Sequence, residues 1–142
     1  MTKKTSEHSP YFSPRTNHLV TLKLPYPPSL NRYYRTYNGR PTISAEGRKY
    51  KERIAEILKP AFYDLADYSS NLQVWIEVMF PDRRRRDLDN LNKCLLDSLT
   101  TDPKKNHVGV WEDDSLIHDL RLVRIGVEKP GFVRLHIAEI KP

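Results

Sequence analysis

The sequence predicts a single α+β domain, a mixed β-sheet carrying two main helices, and three observations lead there. Four segments alternate apolar and polar residues with the period of a half-buried strand, at 18–24, 72–80, 117–127 and 132–140. Two others, 45–59 and 88–99, place apolar residues at helical spacing. At 142 residues with 38% hydrophobic content, the chain can fill one core but not two.

Residues 1–17 show no period and little that can form a core, and read as a mobile, mildly basic tail before a domain over 18–142. The first strand, His18 to Leu24, puts Val20, Leu22 and Leu24 on one face and Thr21 and Lys23 on the other. Pro25, Pro27 and Pro28 end it. The segment from Ser29 to Arg35 then interleaves Tyr33 and Tyr34 with Arg32 and Arg35. Rings that stack on bases beside guanidinium groups that meet phosphate suit nucleic acid, and rings packed under a hairpin are the alternative. Asn38-Gly39 is a two-residue hairpin signal, with arms at Tyr34–Tyr37 and Arg40–Ser44. Ser44 is placed to cap a helix from Ala45 to about Lys59, buried through Tyr50, Ile54, Ile57 and Leu58, and Pro60 ends or kinks it.

The strand 72–80 turns Leu72, Val74, Ile76, Val78 and Phe80 one way and Gln73, Trp75, Glu77 and Met79 the other. That second face is either a subunit interface or part of the monomer's own core. At the strand's end stands Pro81-Asp82-Arg83-Arg84-Arg85-Arg86-Asp87-Leu88-Asp89. Leu88, Leu91, Leu95 and Leu99 mark a second amphipathic helix, with Asp87 as its N-cap and Asp89, Lys93 and Asp97 sharing a polar face. A polar loop, Thr100 to Val110, carries Lys104 and Lys105, which we expect to face solvent, and leads to Trp111-Glu112-Asp113-Asp114. Two strands follow, Ile117 to Val127 and Phe132 to Ile140, joined by a turn at Pro130-Gly131. A parity change between Leu122 and Val123 marks a bulge.

Four adjacent cations repel one another and call for an anionic partner or solvent. A carboxylate pair directly behind them has two explanations. Capping, dipole and i,i+4 pairing account for acids at the start of any good surface helix. Phosphodiester hydrolysis accounts for the acids and the arginines together, since it needs a clamp on the backbone and acidic ligands for a metal. Asp87 and Asp89 leave a hard cation under-coordinated, and Asp113 or Asp114 can supply a third oxygen donor. The net charge of +6 favours an anionic partner, nucleic acid first. One cysteine, Cys94, excludes an intrachain disulfide and a thiolate zinc cage, and its place in the helix is that of a core filler. The five histidines have no ligand spacing and read as surface or strand residues, and the five glycines form no phosphate loop. No apolar run approaches the roughly 18 residues of a membrane span and no signal pattern opens the chain, so a soluble intracellular protein is expected.

The run from Pro81 to Leu91, with Lys93, Asp97 and Leu99-Thr100 behind it, closely resembles the RusA-type Holliday junction resolvases. The likeness extends upstream to Leu24-Pro25, Pro27-Pro28-Ser29, Asn31-Arg32-Tyr33-Tyr34-Arg35 and Ser44-Ala45-Glu46-Gly47, and downstream to Trp111-Glu112-Asp113-Asp114, covering about residues 19–140. It implies a small homodimeric, Mg²⁺-dependent endonuclease, with Mn²⁺ as a substitute, that cuts paired strands of branched DNA at four-way junctions. It implies a cytoplasmic protein, bacterial or phage-encoded, acting in DNA recombination and repair. By motif position the metal-binding carboxylates correspond to Asp87, Asp89 and Asp114, with Asp113 ranked behind them, and the essential lysine to Lys93. Arg83, Arg84, Arg85 and Arg86, with Arg32 and Arg35, are the expected DNA contacts. Two departures stand out: the tail before His18 is an addition, and the 100–110 loop is longer than the family pattern. The competing readings are a DNA-binding module without catalysis and a nuclease acting on flaps or single strands.

Overall fold

The computed structural model describes residues 15–58 and 70–141. The expected tail, the helix end at Lys59 and Pro60 and the loop behind them lie wholly or largely outside that range. In chain order the elements are β1 (Thr16–Pro25), α1 (Leu30–Tyr33), β2 (Tyr34–Tyr37), β3 (Arg40–Ile43), α2 (Ala45–Leu58), β4 (Leu72–Phe80), α3 (Asn92–Ser98), β5 (Ile117–Val127) and β6 (Phe132–Ile140). Four strands form one mixed sheet in the order β1-β6-β4-β5, and β2 and β3 form a separate hairpin. The α+β class is thus the observed one. No helix among the described residues is long and apolar enough to cross a membrane.

β1 begins at Thr16, two residues before the predicted start, because Thr16 and Asn17 still pair with Ile140 and Glu139 of β6. The hairpin matches its prediction: Asn38 and Gly39 both adopt positive φ, 53° and 74°, as a tight two-residue turn demands. α2 is capped as expected, with the Ser44 hydroxyl accepting the Gly47 N–H at 3.0 Å. Its buried row is Gly47, Tyr50, Ile54 and Leu58. Ile57, predicted in that row, is 38% exposed, since the helix is covered along the narrow 47-50-54-58 line and Ile57 falls on its flank.

The strands 117–127 and 132–140 have the predicted limits, yet they do not pair with each other. β4 lies between them, parallel to β5 and antiparallel to β6. The Glu128–Gly131 turn therefore passes over the end of β4, where the Glu128 N–H bonds to the Phe80 carbonyl at 2.8 Å. The bulge predicted between Leu122 and Val123 is displaced: the register of β5 against β4 slips at His118 and again at Ile125. The slip at His118 keeps Leu120 and Leu122 on the core side with Ile117, whereas Val123 lies on the other face and Ile125 and Val127 are exposed.

Leu22, Leu24, Val133, Leu135, Ile137 and the apolar face of β4 join Tyr33, Tyr50, Ile54, Leu91, Leu95, Leu99 and Trp111 in one buried cluster. Cys94 is buried within it as expected. The opposite face of β4 is largely closed by the chain's own side chains. Glu77, 7% exposed, takes His136 Nε2 at 2.8 Å and Arg134 at 3.3 Å, and Arg121 stacks on the Trp75 ring at 4.9 Å.

The 100–110 segment is a built loop rather than a slack one. Asp102 caps a 3-10 turn over Pro103–Lys105, and the Trp111 indole donates to Thr100 Oγ1 at 2.8 Å. His107, expected on the surface or in a strand, is buried in this loop with Nε2 2.6 Å from the Ser98 carbonyl. Lys104 and Lys105 face solvent. Gly109 lets the loop close on α3, because a Cβ there would meet the Leu99 carbonyl oxygen at 2.2 Å. Gly109→Ala is expected to destabilise the fold by about 1–3 kcal/mol, the range for overpacking, read as a lower denaturation midpoint with an unchanged slope.

Candidate active site

β4 delivers the chain into the Pro81–Arg86 turn, which is organised from within. The Asp82 carboxylate accepts from the Arg84 N–H at 3.0 Å and from Arg86 Nη2 at 3.0 Å, with Arg86 Nη1 on its other oxygen. These bonds, first to the Arg86 guanidinium and then to the Arg84 amide, draw its pKa down to about 2. Arg124, stacked on Phe80 at 4.3 Å, donates to the Arg86 carbonyl at 2.8 Å and ties the turn to β5. Arg86 is thus partly spent inside the protein, whereas Arg83, Arg84 and Arg85 are exposed.

Below the turn lies a cleft of about 560 Å³ between it, the Tyr26–Ser29 segment and α2. Arg84, Arg85, Arg86 and Arg32 line it together with Lys49 and Arg53, six cations against the two carboxylates Glu46 and Asp87. Arg35 and Arg83 are not among its lining residues. Lys49 and Arg53 went unnoticed in the sequence; they are one helical turn apart beside Tyr50, the spacing that would have put them on one face.

The predicted continuous helix from 88 is a 3-10 turn over Leu88–Leu91 followed by α3 from Asn92. The Asn90 N–H reaches back to the Asp87 carbonyl and the Asn92 N–H to the Asp89 carbonyl, a tighter winding than α. Leu91, Leu95 and Leu99 are buried by this segment and Leu88 is half-buried. Asp87 holds the cap position in extended conformation, φ −85° and ψ 139°, but its side chain makes no capping hydrogen bond. That corrects the capping expectation and leaves an exposed carboxylate at the cleft wall. Asp89 is exposed in the first turn behind it.

On α3, Lys93 Nζ stands 3.2 Å from Asp97 Oδ1, and the Tyr33 hydroxyl donates to Asp97 Oδ2 at 2.9 Å. Tyr33, read as either a stacking ring or a packed one, is fully buried. Burial pulls the Lys93 ammonium down, but the hydrogen bond and charge of Asp97, then Tyr34 and Asp114, outweigh it and raise its pKa. The carboxyl of Asp114 is raised by burial and by its neighbour Asp113, against the pull of Lys93. Asp114 therefore belongs to the Lys93–Asp97 neighbourhood. Asp113 instead accepts the Ser115 N–H at 3.0 Å and caps the 3-10 turn Asp114–Leu116, which lowers its pKa.

Asp87, Asp89 and Asp114 are exposed oxygen donors, the set a hard divalent cation takes. Among the described residues, however, no three His, Cys, Asp or Glu side chains are gathered closely enough to hold a metal ion. The donor chemistry fits such a cation; among the described residues the ligand sphere is not preformed.

Comparison with known proteins finds relatives over most of the chain. Residues 25–137 match the family model described as endodeoxyribonuclease RusA. The chain is 43% identical over 120 residues to the crossover junction endodeoxyribonuclease RusA of Escherichia coli K12, covering 84% of this chain and 94% of that protein. It is 44% identical over 119 residues to the protein of that name from Enterobacteria phage 82, covering 84% and 93%.

Proposed function

The chain belongs to the RusA family of endodeoxyribonucleases, and from that premise we propose that it resolves four-way DNA junctions by paired, Mg²⁺-dependent phosphodiester hydrolysis, acting as a cytoplasmic homodimer. The observation that carries this reading is the cationic cleft whose wall ends on Asp87. A groove with that charge suits a phosphate backbone, and of the proposed hydrolytic carboxylates Asp87 lines it.

In this reading Arg84, Arg85, Arg32, Lys49 and Arg53 neutralise phosphates and set the register of the strand. Asp87, Asp89 and Asp114 hold the cation, Asp113 remaining a turn cap. When bound there, Mg²⁺ supplies Lewis-acid polarisation of the scissile phosphate and makes water a better nucleophile at neutral pH. Lys93 directs its ammonium at the charge that builds on the phosphoryl oxygens.

Resolving a junction takes two opposed cuts, and the chain holds one such set of carboxylates without a repeat to provide another. Two chains related by a two-fold axis are the simplest answer. The expected result on a synthetic four-way junction is symmetric paired nicking with Mg²⁺, none with chelator, and a dimeric mass in sedimentation at micromolar concentration. Binding without cleavage at any metal concentration would overturn the enzymatic reading. Preference for flaps in direct competition would move the substrate to branched ends, and paired cutting by a strict monomer would overturn the dimer.

A further inference from the structure

Asp97 has no place among the proposed metal donors, yet both of its oxygens are committed. Oδ1 faces Lys93 Nζ at 3.2 Å and Oδ2 accepts the Tyr33 hydroxyl at 2.9 Å. An ordinary i,i+4 pair on a helix surface is a loose contact of a few tenths of a kcal/mol and needs no third member. Here the third member is fully buried and 64 residues away in the chain.

Tyr33 is itself tied down on several sides. Its ring packs edge-on against Tyr34 at 4.8 Å, and its carbonyl accepts the Ser44 N–H at 2.8 Å at the start of α2. A rigid group thus orients the carboxylate, and the carboxylate orients a lysine whose side chain is half exposed and otherwise free to sample many rotamers. The cost of leaving that ammonium unaimed falls on the step where charge develops.

We propose that Asp97 is a positioning residue, fixed by Tyr33, that holds the Lys93 ammonium in place beside Asp114 for the reacting phosphate. This rests on the junction-cleaving reading and adds to it the group through which Lys93 is aimed. Asp97 touches neither substrate nor metal; it acts through Lys93.

Asp97→Asn tests the idea, because its amide oxygen still accepts from Tyr33 while the charge facing Lys93 is gone. Single-turnover cleavage of a four-way junction at saturating enzyme should slow by about 10- to 100-fold, the scale of a misplaced catalytic group, with the junction dissociation constant unchanged. Tyr33→Phe should slow it less, again without loss of binding. In a Lys93→Ala background, neither substitution should cost anything further, since both act through a lysine that is no longer there. A wild-type rate for Asp97→Asn, or losses that multiply in the Lys93→Ala background, would overturn the assignment. Should Asp97→Asn fail to fold, the Tyr33→Phe cycle with Lys93→Ala decides by the same two outcomes. A wild type that cuts no junction overturns both this and the reading beneath it, whereas a cutting wild type with an unaffected Asp97→Asn overturns this alone.

Discussion

Asp87→Asn and Asp89→Asn are each expected to take junction cleavage to assay background while leaving junction binding intact or tighter. Even groups that merely support a metal ligand are worth about 10- to 100-fold, so losing a ligand should cost more than about a hundredfold. Binding should hold or improve because each change removes a negative charge from a surface that meets phosphate. Asp87 sharpens the test, since its side chain makes no capping bond and its loss should leave the helix start undisturbed. Cutting at the wild-type rate by either variant would remove that residue from the proposed metal-ligand set. Gel-shift affinity and single-turnover rate, measured on the same preparation, separate the two effects.

Replacing Arg84 and Arg85 by Ala should weaken binding to every DNA shape and lower the log-log salt slope by about one unit per lost phosphate contact. Those two are chosen over their neighbours on structural grounds. Arg86 is held by Asp82, so its removal would disturb the turn as well as the charge. Arg83 does not line the cleft, so Arg83→Ala should change the slope less. An unaltered slope for the double variant would mean that the strand does not pass between the turn and α2.

What could be read from the sequence was what local chemistry dictates. Asn38-Gly39 can hardly be anything but a tight turn, Ser44 caps the helix it precedes, and the limits of β5 and β6 follow from where alternation starts and stops. The run from Arg83 to Asp89, with Lys93, is where the proposed chemistry is assigned, and the family it points to is the one that the comparisons find. What could not be read was which surfaces meet. Periodicity identifies apolar faces, and says nothing of β4 entering between β5 and β6 or of α2 turning Lys49 and Arg53 toward an arginine turn some thirty residues on. Nor does it see that Tyr33, flanked by arginines, points inward to Asp97. The 3-10 start of the second helix escaped for a different reason: its leucines satisfy α spacing, and the tighter winding is decided by backbone bonds to the Asp87 and Asp89 carbonyls.

The interleaved strand order also governs when a newly made chain can become dangerous to DNA. β6 separates β1 from β4, so the sheet's centre is vacant until the stretch from Phe132 to Ile140 has left the ribosome. β4 until then has β5 on one side and an unpaired edge on the other. Long-range closure of this kind is slow and comes late. A ribosome-stalled chain ending before Phe132 should therefore neither hold nor nick a junction, which ties the first exposure of a nuclease to the emergence of β6.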